Sequence, residues 1–362
     1  MRRRLTAEAA GRKDMEGSNI TIYTIAKEAG VSPATVSRVL NNSANVSTEK
    51  RQKIEHLIRK YNFNPSALAR GLTEPRRKVI GLIVADVRNT FYADLYVNCE
   101  IAAAKKDYSI MLINSFGQVE MEKQALAKLM EQRVDGIIHL GGVADDVETN
   151  REYVKLLSKL PASMPYVTTG KFDGVDCYQV QIDAAKAMDL LMKHLAQNGN
   201  TRVAMVGGRI NVVSTKIKYD RFLEKAGSYG FSLDPDYLEN WGHYTIPGGQ
   251  ETMDALFEKF ERSGKELPQA VIAINDSTAM GVCKSIQKHG LKIPQDISVV
   301  SYDNINLTEI AEPNITSIDY NFASFGQKLV DTVIESLDGK EPGRQRLIHP
   351  TLVVRGSSDY KR

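Results

Sequence analysis

The residues best equipped for chemistry fall into two groups, and neither is a catalytic set. The first is Ser32, Pro33, Ala34, Thr35, Ser37, Arg38 and Asn41, short polar or small side chains with one arginine among them. Hydroxyls, an amide and a guanidinium at helical spacing can read base edges, and arginine matches the paired acceptors of guanine in the major groove. The second group closes a series of apolar runs: Asp86 to Phe91, His139, Gly170-Lys171, Ser214 to Lys218, Asn275-Asp276 and Asp303-Asn304. Ligands of parallel sheets bind beyond the strand ends, where loops and helix N-termini expose donors. Strand ends also need polar residues simply to turn the chain, so the weight lies on six such groups converging.

Hydrolytic, metal and nucleotide chemistry lack their motifs. Gly141-Gly142, Gly207-Gly208 and Gly248-Gly249 are not dinucleotide fingerprints, and Gly170-Lys171-Phe172 lacks the flanking residues of a P-loop. There is no H-E-x-x-H or G-x-S-x-G, and the six histidines have no ligand spacing. His139 at a strand end could serve a pocket or be a satisfied structural histidine. Cys99, Cys177 and Cys283 are distant, odd in number and without C-x-x-C spacing, which fits a reducing cytoplasm. No enzyme, metal or cofactor is expected.

The first group needs a helix-turn-helix to present it, and Ile20 to Asn41 supplies one. Ile25, Ala26 and Ala29 recur at helical spacing, Gly30 offers the turn, and Val31 anchors the junction. Ser32 can cap a second helix and Pro33 fits its first position, while Val36, Val39 and Leu40 make its inward stripe. A helical hairpin that binds no nucleic acid would be built the same way. A third stripe, Ile54, Leu57, Ile58 and Tyr61, follows Ser47 as a cap, and Asn64-Pro65 then opens a short helix that Pro75 must end.

The runs TIYTIAKEAGVSPATVSRVLNN, NVSTEKR and NPSALARGL resemble the headpiece and hinge of the lac repressor family of bacterial transcription regulators. The resemblance extends from about Ile20 to Ser358. It implies double-stranded operator DNA as a partner, recognised by a homodimer at a palindromic site. Thr21, Ile22, Tyr23 and Ser47 match positions at the DNA, with Thr21, Tyr23 and Ser47 on its backbone. Ala69 and Leu72 belong to the hinge, where the matching leucine wedges into the minor groove and bends the duplex. A hinge this short, with Gly71 inside it, is below the roughly 12 to 15 residues that an isolated helix needs, so it should order only on DNA; a plain linker is the alternative. Charge agrees: residues 1–78 carry 16 Lys/Arg against 7 Asp/Glu, and the remainder 31 against 37, a basic head on an acidic body.

From Val79 onward, short apolar runs alternate with helical segments, which specifies an α/β core of two doubly wound parallel-sheet lobes. VIGLIVAD, YSIMLINS, DGIIHLGG and PYVTTGK form one set; VAMVGG, AVIAIND and ISVVSYDN form the other, and TSIDYNFASFGQKLVDTVIESL is expected to return to the first. The resulting division is a disordered tail at 1–19, a headpiece at 20–63, a hinge helix and linker at 64–78, and a core at 79–358. Lobe 1 takes about 79–178 and 321–347, and lobe 2 about 179–320 and 348–358. The opening segment lacks the apolar core of a signal peptide, and no stretch approaches a membrane span, so cytoplasmic residence is expected.

The resemblance implies a periplasmic-binding-protein-like core and a small-molecule effector, a sugar or sugar derivative, held between the lobes. Asn275 and Asp303 match hydroxyl-binding positions, Tyr244 and Phe322 match stacking aromatics, and Asn89 and Phe91 fit the N-x-F segment of the opposite lobe. Amides, carboxylates and aromatic faces suit a polyol, whose hydroxyls need donors and acceptors and whose ring face is apolar. Where the family commonly has arginine, this chain has Lys218, which cannot form a planar bidentate fork. With Lys171 it points to an acidic or phosphorylated sugar. Asn200 stands in place of the usual histidine and Ser301 in place of the usual glycine. A solute-binding sugar receptor without DNA function would share the core but not the headpiece.

Overall fold

A computed structural model describes residues 20–40, 45–61, 63 and 76–362. They fall into two units divided between Arg77 and Lys78. The proposed tail and most of the proposed hinge, with Asn41, Ala69 and Leu72, lie outside the described residues.

The first unit has helices α1 (Ile22–Ala29), α2 (Pro33–Leu40) and α3 (Thr48–Lys60). The Thr21 hydroxyl accepts from Thr24 N while the Thr24 hydroxyl accepts from Thr21 N, a reciprocal cap. Gly30 ends α1 at φ 70, a left-handed position that a side chain would strain. Ser32 caps α2 as expected, its Oγ accepting from Thr35 N at 3.3 Å. Ser47 stands before α3 in extended backbone, but its hydroxyl makes no cap hydrogen bond, which corrects the expected side-chain cap. Ile25, Ala26, Ala29, Val36, Val39, Ile54 and Leu57 form the buried core.

The second unit holds two sheets. Strands β1 (Val79–Val84), β2 (Ser109–Asn114), β3 (Gly136–Leu140), β4 (Tyr166–Thr168) and β5 (Tyr178–Ile182) belong to the first sheet. Strands β6 (Val203–Val206), β7 (Leu238–Glu239), β8 (Ala270–Ala273), β9 (Ser298–Asp303) and β10 (Thr316–Asp319) belong to the second. A late pair, β11 (Gln345–Ile348) and β12 (Thr351–Val353), adds one strand to each. The orders are β11-β5-β4-β3-β1-β2 and β12-β10-β9-β8-β6-β7. The same winding therefore occurs twice, with β12 antiparallel to β10 and the other pairings parallel.

Helices α4 (Thr90–Ala104), α5 (Val119–Glu131) and α6 (Arg151–Leu157) lie between strands of the first lobe. Helices α7 (Ala184–Gln197), α8 (Val213–Lys225), α9 (Ile246–Ser263), α10 (Asp276–Lys288) and α11 (Leu307–Ile310) follow, and α12 (Phe322–Leu337) packs back on α4 and β3 of the first lobe. The chain thus passes between lobes after β5, after β10 and after β11. One expected boundary shifts: Tyr178–Ile182 pairs with β4 and β11, so the first lobe runs past residue 178, because this strand is short and partly polar and no apolar run marked it. Thr316–Asp319 pairs with β9, inside the bound expected for the second lobe, so the run that opens there returns to the first lobe only from α12.

Helices α9 and α10 approach each other closely, since Gly249 brings its backbone against Thr278. A Cβ there would stand 2.2 Å from Thr278 O, a backbone atom that cannot turn aside. Gly249→Ala should cost about 1–3 kcal/mol through overpacking and lower the midpoint of thermal unfolding followed by circular dichroism. An unchanged midpoint would show that the two helices can part freely.

Candidate functional site

In the first unit, α2 turns Val36 and Val39 inward and leaves Ala34 and Arg38 exposed, with Pro33, Thr35 and Ser37 half-buried beside them. The Ser32 and Thr35 hydroxyls are 3.0 Å apart, so both are partly engaged with each other. Tyr23 is 71% exposed, a large ring left in water by the headpiece core, while Ile22 packs against that core. Thr21 is exposed, but its hydroxyl is shared with the cap of α1. Ser47 is exposed as well. Lys60 pairs with Glu28 at 2.8 Å and ties α3 to α1, a surface pair of small energetic value.

In the second unit the candidate cleft is built on the strand ends. Asn275 follows β8 and caps α10, its Oδ1 accepting from Thr278 N at 2.9 Å and its Nδ2 donating to Tyr244 O at 3.4 Å. The Tyr244 hydroxyl is 2.8 Å from Thr215 Oγ1 and accepts from Arg209 N at 3.2 Å, which fixes the ring beside the end of β6. Lys218 is buried on α8; its Nζ donates to Ile274 O at 3.0 Å and lies 3.8 Å from the centre of the Tyr302 ring. Asp303 closes β9, buried, with left-handed backbone at φ 103.

These groups share charge. Burial pushes the Asp303 carboxyl up, Asp276 pushes it further, and Lys218 pulls it back down. Burial lowers the Lys218 ammonium, and Asp303 and Asp276 oppose that shift. Lys218 thus lies within electrostatic reach of both carboxylates, while its direct contacts are Ile274 O and the Tyr302 ring.

The first lobe contributes aromatic groups. Phe91 stands edge-on to Phe322 at 5.5 Å, to Tyr320 at 6.2 Å and to Tyr92 at 5.2 Å. Asn89 caps α4, accepting from Phe91 N at 3.1 Å, and so sets that ring. Tyr92 donates weakly to Asp145 at 3.5 Å. Its phenol is raised well above the usual range by burial, then by Asp145, Tyr244 and Asp303, which places it within electrostatic reach of both lobes' groups. Burial also pushes the Asp145 carboxyl up to about 6.

The lobes meet directly. Asp146 and Val212 form an antiparallel bridge, with Val147 N donating to Asn211 O at 2.9 Å and Val213 N to Asp145 O at 2.7 Å.

Tyr244, Asn275, Lys218 and Asp303 thus come together, as do Asn89, Phe91 and Phe322, and Tyr92 links the two sets. Two expected pocket residues do not join them. His139 has no exposed surface and packs among Tyr153, Tyr166 and Phe172 in the lobe 1 interior, because alternation along β3 turns it away from the cleft. Lys171 is exposed and its ammonium is 3.1 Å from Asp173, a local surface pair. Three residues that the sequence reading gave no role lie at the cleft, Tyr92, Asp145 and Tyr320, and Asp276, named there only as part of a strand-end group, joins them. Asp276 and Tyr320 are chain neighbours of Asn275 and, two residues on, Phe322, so the motifs AIND and DYNF carried the signal. Asp145 sits beyond a double glycine that hid the end of its strand.

If Lys218 is the counter-ion of Asp303, deleting its charge raises the Asp303 pKa. Carboxyl carbon NMR of Lys218→Met should show Asp303 titrating at higher pH than in the wild type. An unchanged or lower titration point would remove Lys218 from that role.

Comparison with known proteins agrees with this geometry. The model "Bacterial regulatory proteins, lacI family" matches residues 21–66, and "Periplasmic binding protein-like domain" matches residues 192–358. The catabolite control protein A of Staphylococcus epidermidis (strain ATCC 12228 / FDA PCI 1200) is 31% identical, over 89% of this chain and 95% of its own length. The ribose operon repressor of Escherichia coli (strain K12) is 31% identical, over 93% and 99%. In fold, the chain is similar to the lac repressor dimer bound to operator and the anti-inducer ONPF, with a TM-score of 0.83 at 23% identity over 94% of this chain and 99% of that one. It is also similar to the transcriptional regulator CelR–cellobiose complex, with a TM-score of 0.68 at 23% identity over 94% and 100%. The chain belongs to the lacI family of bacterial regulatory proteins, DNA-binding transcription regulators, not enzymes, whose helix-turn-helix headpiece precedes a periplasmic-binding-protein-like core.

Proposed function

We propose that this regulator is a repressor, that it binds a palindromic operator as a homodimer, and that a carbohydrate held between the lobes changes its operator affinity. The observation that carries the reading is the facing pair of strand-end sets, Asn275 and Asp303 with Tyr244 on one lobe and Phe91 with Phe322 on the other. A polyol can satisfy amide and carboxylate groups while resting its apolar face on rings. A ligand held by groups from both lobes favours one separation of the lobes over others, and only that difference in binding free energy can alter DNA affinity. The ribose operon repressor and the CelR–cellobiose complex among the relatives support a sugar, and the operator-bound lac repressor supports a dimeric DNA complex.

Because Lys218 is engaged with Ile274 O, Tyr302 and the Asp303 charge, an uncharged sugar fits the cleft better than the acidic or phosphorylated one that the lysines alone pointed to. Exposed Val97 and Ile101, one turn apart on α4, leave apolar surface that a second copy would cover. A solute receptor without DNA function has no use for the headpiece.

Arg38 is the main base reader, since Pro33 and Ala34 offer only apolar contact, for example to thymine methyl groups. Arg38→Ala should weaken binding to the selected operator by about 1–3 kcal/mol per half-site and relax specificity there, as read by fluorescence anisotropy. Affinity equal to wild type would remove the assignment. Substitutions at Thr21, Tyr23 or Ser47 should instead weaken all DNA sequences alike.

Asp303 is the test of the cleft. A buried hydrogen bond to a charged group is worth ~1.5–3 kcal/mol, so Asp303→Ala should weaken the effector by at least about tenfold in calorimetric titration across a sugar panel. Operator binding persists without sugar if the sugar is an inducer and appears only with sugar if it is a corepressor, so the same titration reads the sign of regulation. Tight sugar binding by Asp303→Ala would overturn the cleft.

A further inference from the structure

Beneath the cleft of lobe 1 lies a polar cluster that the effector site does not use. Glu122 on α5 and His139 on β3 both have no exposed surface. Glu122 Oε1 accepts from Ser115 Oγ at 3.2 Å and from Val143 N at 3.2 Å, and Oε2 is 3.3 Å from the same nitrogen. His139 Nδ1 is 2.6 Å from the Tyr166 hydroxyl. Its Nε2 lies 3.2 Å from Glu122 Oε2 without the alignment of a hydrogen bond.

A carboxylate out of water is costly unless its lone pairs are answered, and a lobe interior could be filled by apolar groups at no such cost. What the Glu122 carboxylate holds is the turn after β3, the single 3-10 turn Gly142–Ala144. The fit is tight: a Cβ on Gly142, at φ 66, would stand 1.9 Å from Glu122 Oε1. The residues leaving this turn, Asp145 to Val147, are the ones that pair with Asn211 to Val213 of the other lobe.

We propose that Glu122 is a positioning residue for the contact between lobes. By accepting from Val143 N it fixes the turn, the turn sets the strand segment that crosses the cleft, and Glu122 thereby governs how readily the lobes part. Its consequence for effector response rests on the function proposed above, but the contact itself does not.

The bridge can be read without operator or effector. Asp146 and Val212 are flanked by the two inter-lobe hydrogen bonds, which makes them a non-hydrogen-bonded antiparallel pair with Cα atoms about 4.5 Å apart, within disulfide range. In the double variant Asp146→Cys/Val212→Cys, with oxidised glutathione as oxidant, the rate of internal disulfide formation reports how often the segments meet. The native Cys99, Cys177 and Cys283 are buried. Adding Glu122→Ala should slow that rate by about tenfold, whereas Glu122→Gln, which keeps an acceptor for Val143 N, should stay within about twofold of the parent. A folded Glu122→Ala protein that cross-links at the parent rate would overturn the proposal, as would a Glu122→Gln rate as slow as that of Glu122→Ala. If Glu122→Ala fails to fold by circular dichroism, Glu122→Asp decides, because it draws the carboxylate back from Val143 N by one methylene without touching the turn: slowing supports the role and the parent rate overturns it. Since no DNA or sugar enters the assay, failure here leaves the repressor reading intact, and failure of that reading leaves this measurement interpretable.

Discussion

Asp276 is a carboxylate with no exposed surface, and the cleft takes its shape from the hydrogen bonds that make its burial tolerable. Ser301 Oγ and Ser317 Oγ donate to Oδ1, and Ile305 N donates to Oδ2 at 2.9 Å. Burial drives this carboxyl up and the three donors drive it back down. Those donors come from β9, from β10 and from the turn between them, so one anion at the start of α10 pins three segments. Asp303 and Asn304 in that turn have left-handed backbone, at φ 103 and φ 54, a conformation that a non-glycine residue keeps only when its surroundings impose it. The direction of the Asp303 side chain is therefore set from beneath. Ser301, where the family resemblance led one to expect glycine, is one of the donors.

The two lobes repeat one strand order, and both place their polar groups at the ends where the chain changes direction. Three short passages between sheets leave the lobes joined but separable, while the Asp146–Val212 bridge closes one side of the cleft through backbone alone. A bond of that kind has no side-chain specificity of its own. Its geometry must come from what lies under it, which in lobe 1 is the turn held by Glu122. Arg362 plays a comparable part in the body of lobe 2. Its guanidinium donates to Asn200 Oδ1 at 2.9 Å and to the carbonyls of Gln269, Pro294, Gln295 and Asp296. Asn200, the second departure from the family pattern, is thus an acceptor in a clasp that secures Arg362 against lobe 2.

The headpiece was almost wholly legible in the residue order, because its information is local. A cap at Ser32, a left-handed glycine at position 30 and apolar residues one helical turn apart specify the helices without reference to distant segments. The same holds for β1, β3, β6, β8 and β9, whose apolar runs declare burial on both faces. Shorter and more polar strands were not declared. Tyr178–Ile182, Leu238–Glu239 and Thr351–Val353 become strands by pairing with partners far along the chain, and no local pattern records a partner.

The cleft divides along the same line. By itself the sequence determined that Asn275 stands at a helix start and Asp303 at a strand end, since polar residues closing apolar runs have few other places to go, whereas Lys218, read with a strand-end group, lies within α8. Only the tertiary structure decided what each end group faces. It turned His139 into a sealed aromatic cluster, because the pleat of β3 sends alternate side chains to opposite faces, and it left Lys171 on the surface beside Asp173. It buried Lys218 against Ile274 O and the Tyr302 ring, within electrostatic reach of Asp303, so that a residue which alone reads as an anion binder is already engaged inside the protein. Charge on a side chain is written in the sequence; whether that charge is available to a ligand depends on neighbours that can lie dozens of positions away, and folding alone brings them together.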